Sequence, residues 1–321
     1  MKRKFTGFFL LLCLVTGIKA FAQADINMAT HWYNRASYNP AFIARTEYLY
    51  FFSNTRHQWT GIEGAPHVYN VQISEYIHRL HSAFGLSFVN DRIGLTRASN
   101  PMLTYAYRIS DNQNWSLSLG LSAGMFVRSI DGSHFEAETI NDPSLNYTFE
   151  RNISPDANTG LEFQSKHFIF GVAGTHLFSI GKADHFLLNA NHRYGYAVYK
   201  NNNLDLFYYR AGIMVVNRYN LTVVEGNLLI RFKHPTGLLQ GPREIFDLGI
   251  SLRSSRQMTF LAGLLLRPDL RIGYAYDHSF AGGYNRNATH EFMIEYRIPT
   301  KAASTIGRCG TNDIRTDDDG S

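Results

Sequence analysis

The stretch 120–124 is Gly-Leu-Ser-Ala-Gly and matches the G-x-S-x-G pattern of a hydrolase nucleophile. In that chemistry the serine, here Ser122, must lie on a sharp turn between a strand and a helix so that its hydroxyl is exposed. The pentapeptide instead falls in the middle of a segment that alternates like a single continuous strand. We therefore interpret its small residues as packing on one strand face, and we predict no enzyme.

Thirteen histidines raise the question of a metal site. The sequence has no His-Glu-x-x-His motif, and Cys309 is the only cysteine after residue 22, so a thiolate cluster is excluded. His290-Glu291 and Asp277-His278 lie on two neighbouring predicted strands and could converge as a metal pair or a proton site. We favour a hydrogen-bond network there and predict no cofactor.

The end of the chain is rich in aspartate. Asp313, Asp317 and Asp319 stand close together, with Gly320 after the last of them, and such carboxylates can bind calcium. They also look like the linker repeats that join some outer-membrane barrels to a peptidoglycan-binding domain. The interpretation we prefer is a disordered acidic tail over residues 299–321.

The first residues predict export. Lys2, Arg3 and Lys4 precede the apolar stretch 8–15, and Ala20-Phe21-Ala22 fits a cleavage site, so residues 1–22 read as a signal peptide. The apolar stretch is too short to span a membrane as a helix. The formal net charge of +5 comes largely from this peptide, so the high pI does not indicate a nucleic-acid partner.

Alternation over segments of about ten residues dominates the rest of the chain, which is typical of membrane-spanning strands. With 45% hydrophobic and 14% aromatic residues, the composition suits a barrel with aromatic girdles. We predict an all-β transmembrane antiparallel barrel over residues 46–298. Its predicted strands, about 14 in all, are 46–56, 66–75, 82–90, 102–109, 115–127, 159–165, 167–177, 185–197, 203–215, 219–232, 244–253, 257–266, 269–278 and 289–298.

The two faces of these strands differ in chemistry. From Trp115 to Met125, large apolar residues alternate with serine and glycine, which suit a crowded lumen. In 270–277 and 291–298 the second face carries charged residues, which would be expensive against lipid. We therefore predict that these charges face the lumen.

The segments between the strands also divide the chain. We predict extracellular loops at 131–155 and 279–288, and polar turns at 110–113, 201–203 and 254–256. Residues 23–45 alternate poorly and contain the turn signal Asn39-Pro40. We expect them either inside the barrel or along its periplasmic mouth.

Three stretches resemble the PorP/SprF family of type IX secretion system membrane proteins. The stretch 33–41 is similar to an N-terminal pattern that ends in Asn39-Pro40-Ala41. Gln58-Trp59-Thr60-Gly61 with Gly64-Ala65-Pro66 is close to Gln-Trp-x-Gly-x-x-Gly-Ala-Pro. Tyr274 and Asp277, followed by His290-Glu291, are similar to Gly-Tyr-x-Tyr-Asp and His-Glu before the last strand.

The resemblance implies a non-enzymatic outer-membrane barrel that serves type IX secretion or gliding. It implies as partners other periplasmic and outer-membrane secretion components and the C-terminal domains of secreted cargo or a surface adhesin, besides outer-membrane lipid. The motif at Gln58 to Pro66 is either a tight turn with Trp59 in an interfacial belt or a surface that a partner contacts. Two alternatives stay open: a passive channel or hydrophobic-solute transporter, and a barrel enzyme acting on lipids.

Overall fold

The computed structural model describes residues 28–45, 48–111, 114–134, 148–179, 190–201, 206–218, 221–234, 243–280 and 288–299. Fourteen antiparallel strands form one closed barrel, in which β1 pairs with β14. The predicted barrel and its strand number are confirmed. The strands are β1 (Tyr48–His57), β2 (His67–Ile77), β3 (Ser82–Ile93), β4 (Thr96–Asp111), β5 (Trp115–Asp131), β6 (Phe149–Ser165), β7 (Phe168–Thr175), β8 (His192–Asn201), β9 (Phe207–Arg218), β10 (Leu221–His234), β11 (Arg243–Arg253), β12 (Gln257–Arg267), β13 (Leu270–Ser279) and β14 (Thr289–Pro299).

The outer face of the wall is apolar and the inner face is polar. In β5, Leu119, Leu121 and Met125 are exposed, whereas Ser118 and Ser122 are buried. This alternation is what a barrel needs when one face meets hydrocarbon and every backbone group is paired within the wall. Among the described residues no helix has the length and apolarity that a membrane span requires.

The barrel has two unlike ends. At one end β1 begins beside the end of β14, with Tyr48 opposite Pro299, and we call this end the terminal rim. The opposite end, the loop rim, carries the connections 132–148 and 176–191, whereas the terminal rim has short connections such as 78–81 and 166–167. Outer-membrane barrels carry their longer loops outside the cell, so we assign the loop rim to the cell surface.

Strand β6 begins earlier than the sequence predicts. Residues 149–155, predicted as part of a loop, form a hairpin with β5 in which Phe149 lies opposite Asp131. Pro155 lies at the end of this stretch, and a proline without an N–H is tolerated on a strand edge. β6 pairs with β7 only from Thr159 to Gln164, so Pro155 lies on an edge. The prediction that the whole of 131–155 is a loop was wrong.

Other strand predictions differ at their ends. β4 starts at Thr96, six residues before the predicted start at residue 102. The predicted strand at 185–197 appears as β8 from His192, and residues 185–189 lie outside the described ones. The predicted signal peptide, Cys309 and the aspartates of the tail also lie outside the described residues.

Residues 28–45 lie inside the barrel, and we call this segment the plug. It consists of three short 3-10 turns, Ala29–Trp32, Arg35–Ser37 and Pro40–Arg45. Asn34 and Asn39 shape it, because the side-chain oxygen of each accepts the backbone N–H two residues on, both at 3.0 Å. Asparagine favours such local turns.

The buried apolar core of the molecule is the interface between the plug and the wall. One cluster joins Ala29 and Tyr33 to Phe52. A second joins Trp32 and Tyr38 to the β7–β9 part of the wall, and a third joins Ile43 and Ala44 to the β2–β4 part. The plug therefore contacts the wall on opposite sides of the lumen.

Candidate functional site

Glu291 on β14 holds the start of the plug. Its carboxylate accepts the backbone N–H groups of Ala29 at 2.7 Å and Thr30 at 3.0 Å, together with the Thr30 hydroxyl. Asn54 on β1 donates to the same carboxylate at 2.9 Å. Glu291 is fully buried, and hydrogen bonds to a buried charge are stronger than those between neutral groups. The start of the plug is thus held at β14 and β1.

Glu225 on β10 holds the next turn. The Trp32 indole N–H donates to one of its oxygens at 2.5 Å, and Nε2 of His31 lies 3.4 Å from the same atom. The Trp32 ring lies against Gly212 of β9, where a Cβ atom would come within 2.6 Å of the ring. Glycine at 212 therefore makes room for the indole.

Glu162 on β6 holds the middle of the plug. Arg35 donates to its carboxylate from Nε at 3.0 Å, and the Tyr196 hydroxyl donates to the same oxygen. Both partners of the Arg35–Glu162 pair are buried. Tyr38 stacks on Tyr194, with ring centroids 5.1 Å apart. The plug is therefore fixed by charge and by aromatic contact at this point.

The Asn39-Pro40 turn fits against two wall glycines. A Cβ at Gly120 of β5 would overlap the backbone of Pro40 and Ala41, and one at Gly160 of β6 would overlap the Asn39 side chain. Asn39 also donates to the Tyr196 hydroxyl at 2.7 Å. These glycines allow the plug backbone to approach the wall.

Ser122 does not have the geometry of a hydrolase nucleophile. It lies within β5, with strand on both sides, and its hydroxyl is 2.8 Å from that of Thr104 on β4. The strand-to-helix turn that exposes such a serine is not formed at this position. The G-x-S-x-G match instead reflects the close packing of the plug at Gly120.

A chain of buried ion pairs links two of the acids that hold the plug. Arg56 donates to Glu291 at 3.1 Å and to Asp277 at 2.5 Å. Arg253 continues the chain, at 3.5 Å from Asp277 and 2.6 Å from Glu225. Burying charges is costly unless each has a partner of opposite sign. The alternation of acid and base from Glu291 to Glu225 meets that requirement.

A second buried network lies beside this chain on β10, β11, β13 and β14. Arg231 pairs with Asp247 at 2.6 Å and with Glu244 at 2.8 Å. Arg271 pairs with Glu244 as well and lies 3.8 Å from Glu295. The lumen-facing charges predicted for the last strands are thus found in the lumen, each beside a charge of opposite sign.

The residues His290-Glu291 and Asp277-His278 do not converge as a metal pair. Glu291 and Asp277 face the lumen and meet at Arg56. His290 points to the outer face, where its Nδ1 lies 2.6 Å from the Tyr274 hydroxyl, and the His278 ring packs against Phe280. Over the described part of the chain no group of three or more metal-ligating side chains could hold a metal ion.

The stretch from Gln58 to Pro66 forms the β1–β2 turn at the loop rim. The Gln58 N–H donates to the Pro66 carbonyl at 3.0 Å, and Trp59 has a positive φ of 52°. The Trp59 N–H donates to the Thr289 hydroxyl of β14 at 3.3 Å. The Gly64 carbonyl accepts the N–H of Gly94 in the β3–β4 turn at 2.8 Å. The β1–β2 turn is thus hydrogen-bonded to the β3–β4 turn and to the start of β14, beside His290-Glu291.

On the loop-rim side of the plug the lumen retains a cavity of about 130 Å³. Ser37 and Tyr38 of the plug line it together with Asn70, Asn100 and His176 of the wall and the β7–β8 connection. The Asp156 carboxylate accepts from Asn100 at 2.9 Å and lies 2.7 Å from Nδ1 of His176. Val68, Val89 and Phe126 of the wall line the cavity as well, so its lining is partly polar and partly apolar.

Sequence reasoning singled out Asn39 and Pro40, which lie in the plug, and Glu291, which binds it. It also singled out Asp277, which pairs with Arg56 of the wall, but it missed most of the plug contacts. Glu162 and Glu225 were not selected, although an acid on the small-residue face of a predicted strand is a signal of lumen charge. Trp32 and Arg35 carried no such signal. The other motif residues lie away from the plug, either in the β1–β2 turn from Gln58 to Pro66, which we call the rim turn, or on the outer face. They are Gln58, Trp59, Gly61, Gly64, Pro66, Tyr274 and His290.

Comparison with known proteins agrees with this architecture. The toluene transporter TbuX of Ralstonia pickettii is 10% identical, with 87% of this chain and 96% of that chain covered at a TM-score of 0.50. The outer membrane protein Omp33 of Acinetobacter baumannii is 7% identical, with 79% and 99% covered at a TM-score of 0.47. The likeness to TbuX, at this low identity, shows a shared barrel fold alone. No curated protein matches the chain.

A family model identifies the family of the chain, which the compared structures do not. The model described as type IX secretion system membrane protein PorP/SprF matches residues 20–296, a range that includes all three motif stretches and the plug. The resemblance seen in the motifs is thereby confirmed, and the closed barrel with its apolar outer face is of the outer-membrane type. The chain belongs to the PorP/SprF family of type IX secretion system membrane proteins.

Proposed function

We propose that this protein is a non-enzymatic component of the type IX secretion system that supports the secretion or surface anchoring of cargo proteins. Family membership supports a role in secretion. The observation that carries the proposal is the plug, which is held by Glu291, Glu225 and Glu162 on three separate strands. A lumen filled this way suits a protein that acts through contacts with partners.

The surfaces open to such contacts are the loops, the turns of the terminal rim and the rim turn from Gln58 to Pro66. The rim turn is rigid because its backbone bonds to Thr289 and Gly94. Binding sites concentrate on loops that a rigid scaffold holds in place. We expect C-terminal domains of cargo or of a surface adhesin to dock at the loop rim, and periplasmic components to dock at the terminal rim.

Mass spectrometry of proteins that co-purify with the tagged barrel from native outer membranes in mild detergent tests the proposal. Recovery of periplasmic secretion components would support a part of the general machine, and recovery of one large adhesin would support a dedicated carrier or anchor. Recovery of lipopolysaccharide and common porins alone would contradict the proposal.

The competing proposal is a channel or transporter for a hydrophobic solute. The cavity on the loop-rim side of the plug favours it, because a small molecule could enter that space from the cell surface. A transporter should conduct ions or take up solute in proteoliposomes, and its deletion should leave secreted proteins unchanged. Solute uptake combined with normal secretion would replace the secretion proposal by this one.

A further inference from the structure

A row of basic side chains crosses the outer face of the barrel near the loop rim. Strand pairing places His57 opposite both His290 and His67, and Arg92 opposite both His67 and Arg97. The same line continues through the β4–β5 and β5–β6 pairs. We define the basic row as His290, His57, His67, Arg92, Arg97, Ser129 and Arg151, one residue on each of seven neighbouring strands.

The arginines of this row point outward. Asp91 lines the lumen cavity, so its neighbour Arg92 faces the opposite side of β3. Ala98 lines the same cavity, which places Arg97 on the outer face of β4. Arg92, Arg97 and Arg151 are exposed, and within the described part of the chain no ion pair joins any of them to an acid.

The basic row borders the lipid-facing band. Two residues further into the wall on the same strands stand Phe292, Tyr69 and Ile153, each about half exposed on the outer face. Val71 and Phe88 follow, again exposed. Aromatic and apolar residues of this kind mark the edge of the hydrocarbon region in outer-membrane barrels. Strands of such barrels tilt by about 35–45°, so the height of the row changes by roughly 9 Å over the three strand steps from Arg92 to Arg151. These three arginines therefore lie at the level of the lipid headgroups.

The side chains of the basic row are suited to binding phosphate groups. Every member is histidine or arginine except Ser129, and no aspartate or glutamate stands in the row. A guanidinium binds phosphate oxygens through two parallel N–H donors. Neighbouring strands lie about 4.8 Å apart, so the row presents closely spaced donors to a surface with several phosphates.

We propose that the arginines of the basic row bind the phosphate groups of the phosphorylated glycolipid of the outer leaflet. The proposal rests on strand register and does not depend on the secretion role. A lipid is favoured over an acidic protein because the row lies on the outer face of the wall, next to Phe292 and Tyr69. The bound lipid would hold the β3–β6 side of the barrel at a fixed height in the membrane.

Lipid titration of the purified full chain, followed by native mass spectrometry, tests this proposal. The test variant is R92Q/R97Q/R151Q. The control variant R79Q/R256Q/R267Q removes the same charge at exposed arginines outside the row. The probe is bisphosphorylated lipid A. We expect the test variant to bind it at least about tenfold more weakly than the unchanged protein, since each basic residue near an anionic surface adds to the electrostatic attraction. The control should bind like the unchanged protein.

A parallel titration with lipid A stripped of its phosphates should show weak binding to all three proteins. Equal binding of bisphosphorylated lipid A by the test and control variants would overturn the proposal. Binding of the stripped lipid as strong as that of bisphosphorylated lipid A would also overturn it. So would a test variant that loses a co-purified acidic protein but binds lipid A as before. Heat-modifiable migration in gels verifies that each variant is folded, and the single variant R97Q replaces the triple variant if that one does not fold.

Discussion

The Glu291 carboxylate accepts the backbone N–H of Ala29 at 2.7 Å although the two residues are 262 positions apart in the chain. This contact joins the last strand of the barrel to the first turn of the plug. The barrel can close at β1 and β14 only after both ends of the chain have been synthesised. The plug and the closing seam are therefore fixed by the same carboxylate.

Replacing Glu291 by glutamine should loosen the plug. The amide keeps the size of the side chain but removes the charge that Arg56 and the two plug amides share. Breaking one member of a buried ion pair costs about 3–5 kcal/mol, so the free energy of unfolding should fall by roughly that amount. Urea titration of the refolded barrel measures it, and Glu75→Gln on the exposed outer face is the matched control. A change equal to that of the control would contradict the role of Glu291.

Arg56 and Glu291 should be energetically coupled through the buried ion-pair chain. Arg56→Gln and Glu291→Gln each break the same contact, so the double variant should lose less stability than the sum of the two single losses. Contacting residues in one network typically couple by about 0.5–3 kcal/mol. Unfolding free energies of the four proteins in the double-mutant cycle give this number, and additivity within error would argue against a shared network.

Gly120→Ala should displace the Asn39-Pro40 turn, because the added Cβ overlaps the plug backbone. Gly226→Ala on β10 is the control, since a Cβ there would meet nothing within 4 Å. We expect limited proteolysis to cleave the plug in the Gly120 variant and to leave it intact in the control. Equal protection in both would show that the plug backbone does not rest on Gly120.

Two glycines of the rim turn should respond differently to alanine. Both Gly61 and Gly64 have positive φ, 94° and 71°, and an added Cβ is strained at either position. Only at Gly64 would the Cβ also meet a neighbour, Gly94 at 3.3 Å. Proteolysis of the loop rim should therefore rise more for Gly64→Ala than for Gly61→Ala. The reverse order would contradict the contact between the β1–β2 and β3–β4 turns.

Ser122→Ala should leave secretion unchanged. The loss of its hydrogen bond to Thr104 should cost about 1 kcal/mol of stability. A lipid-hydrolysis assay on purified protein, with and without the substitution, tests the enzyme alternative directly. Hydrolysis that disappears in the Ser122 variant would reverse our assignment of this residue.

The period-2 pattern predicted most of the barrel because a wall between lipid and a polar lumen forces strict alternation. It failed at the start of β6, where residues 149–155 pair with β5 alone and form an edge of the sheet. The sequence left the position of the plug open between the lumen and the periplasmic mouth, since the segment around Asn39-Pro40 has no periodicity. Its partners Glu225 and Glu162 lie far away in sequence, and only the closed barrel brings them together.

The measurement that tests the central claim most directly is quantitative mass spectrometry of surface, secreted and periplasmic proteins in a strain lacking this protein. Complementation with the unchanged chain serves as the control. We predict that at least one type IX cargo protein accumulates in the periplasm or is released from the surface in the deletion strain, and returns to its normal place on complementation. Unchanged distribution of every cargo protein would contradict a role in secretion.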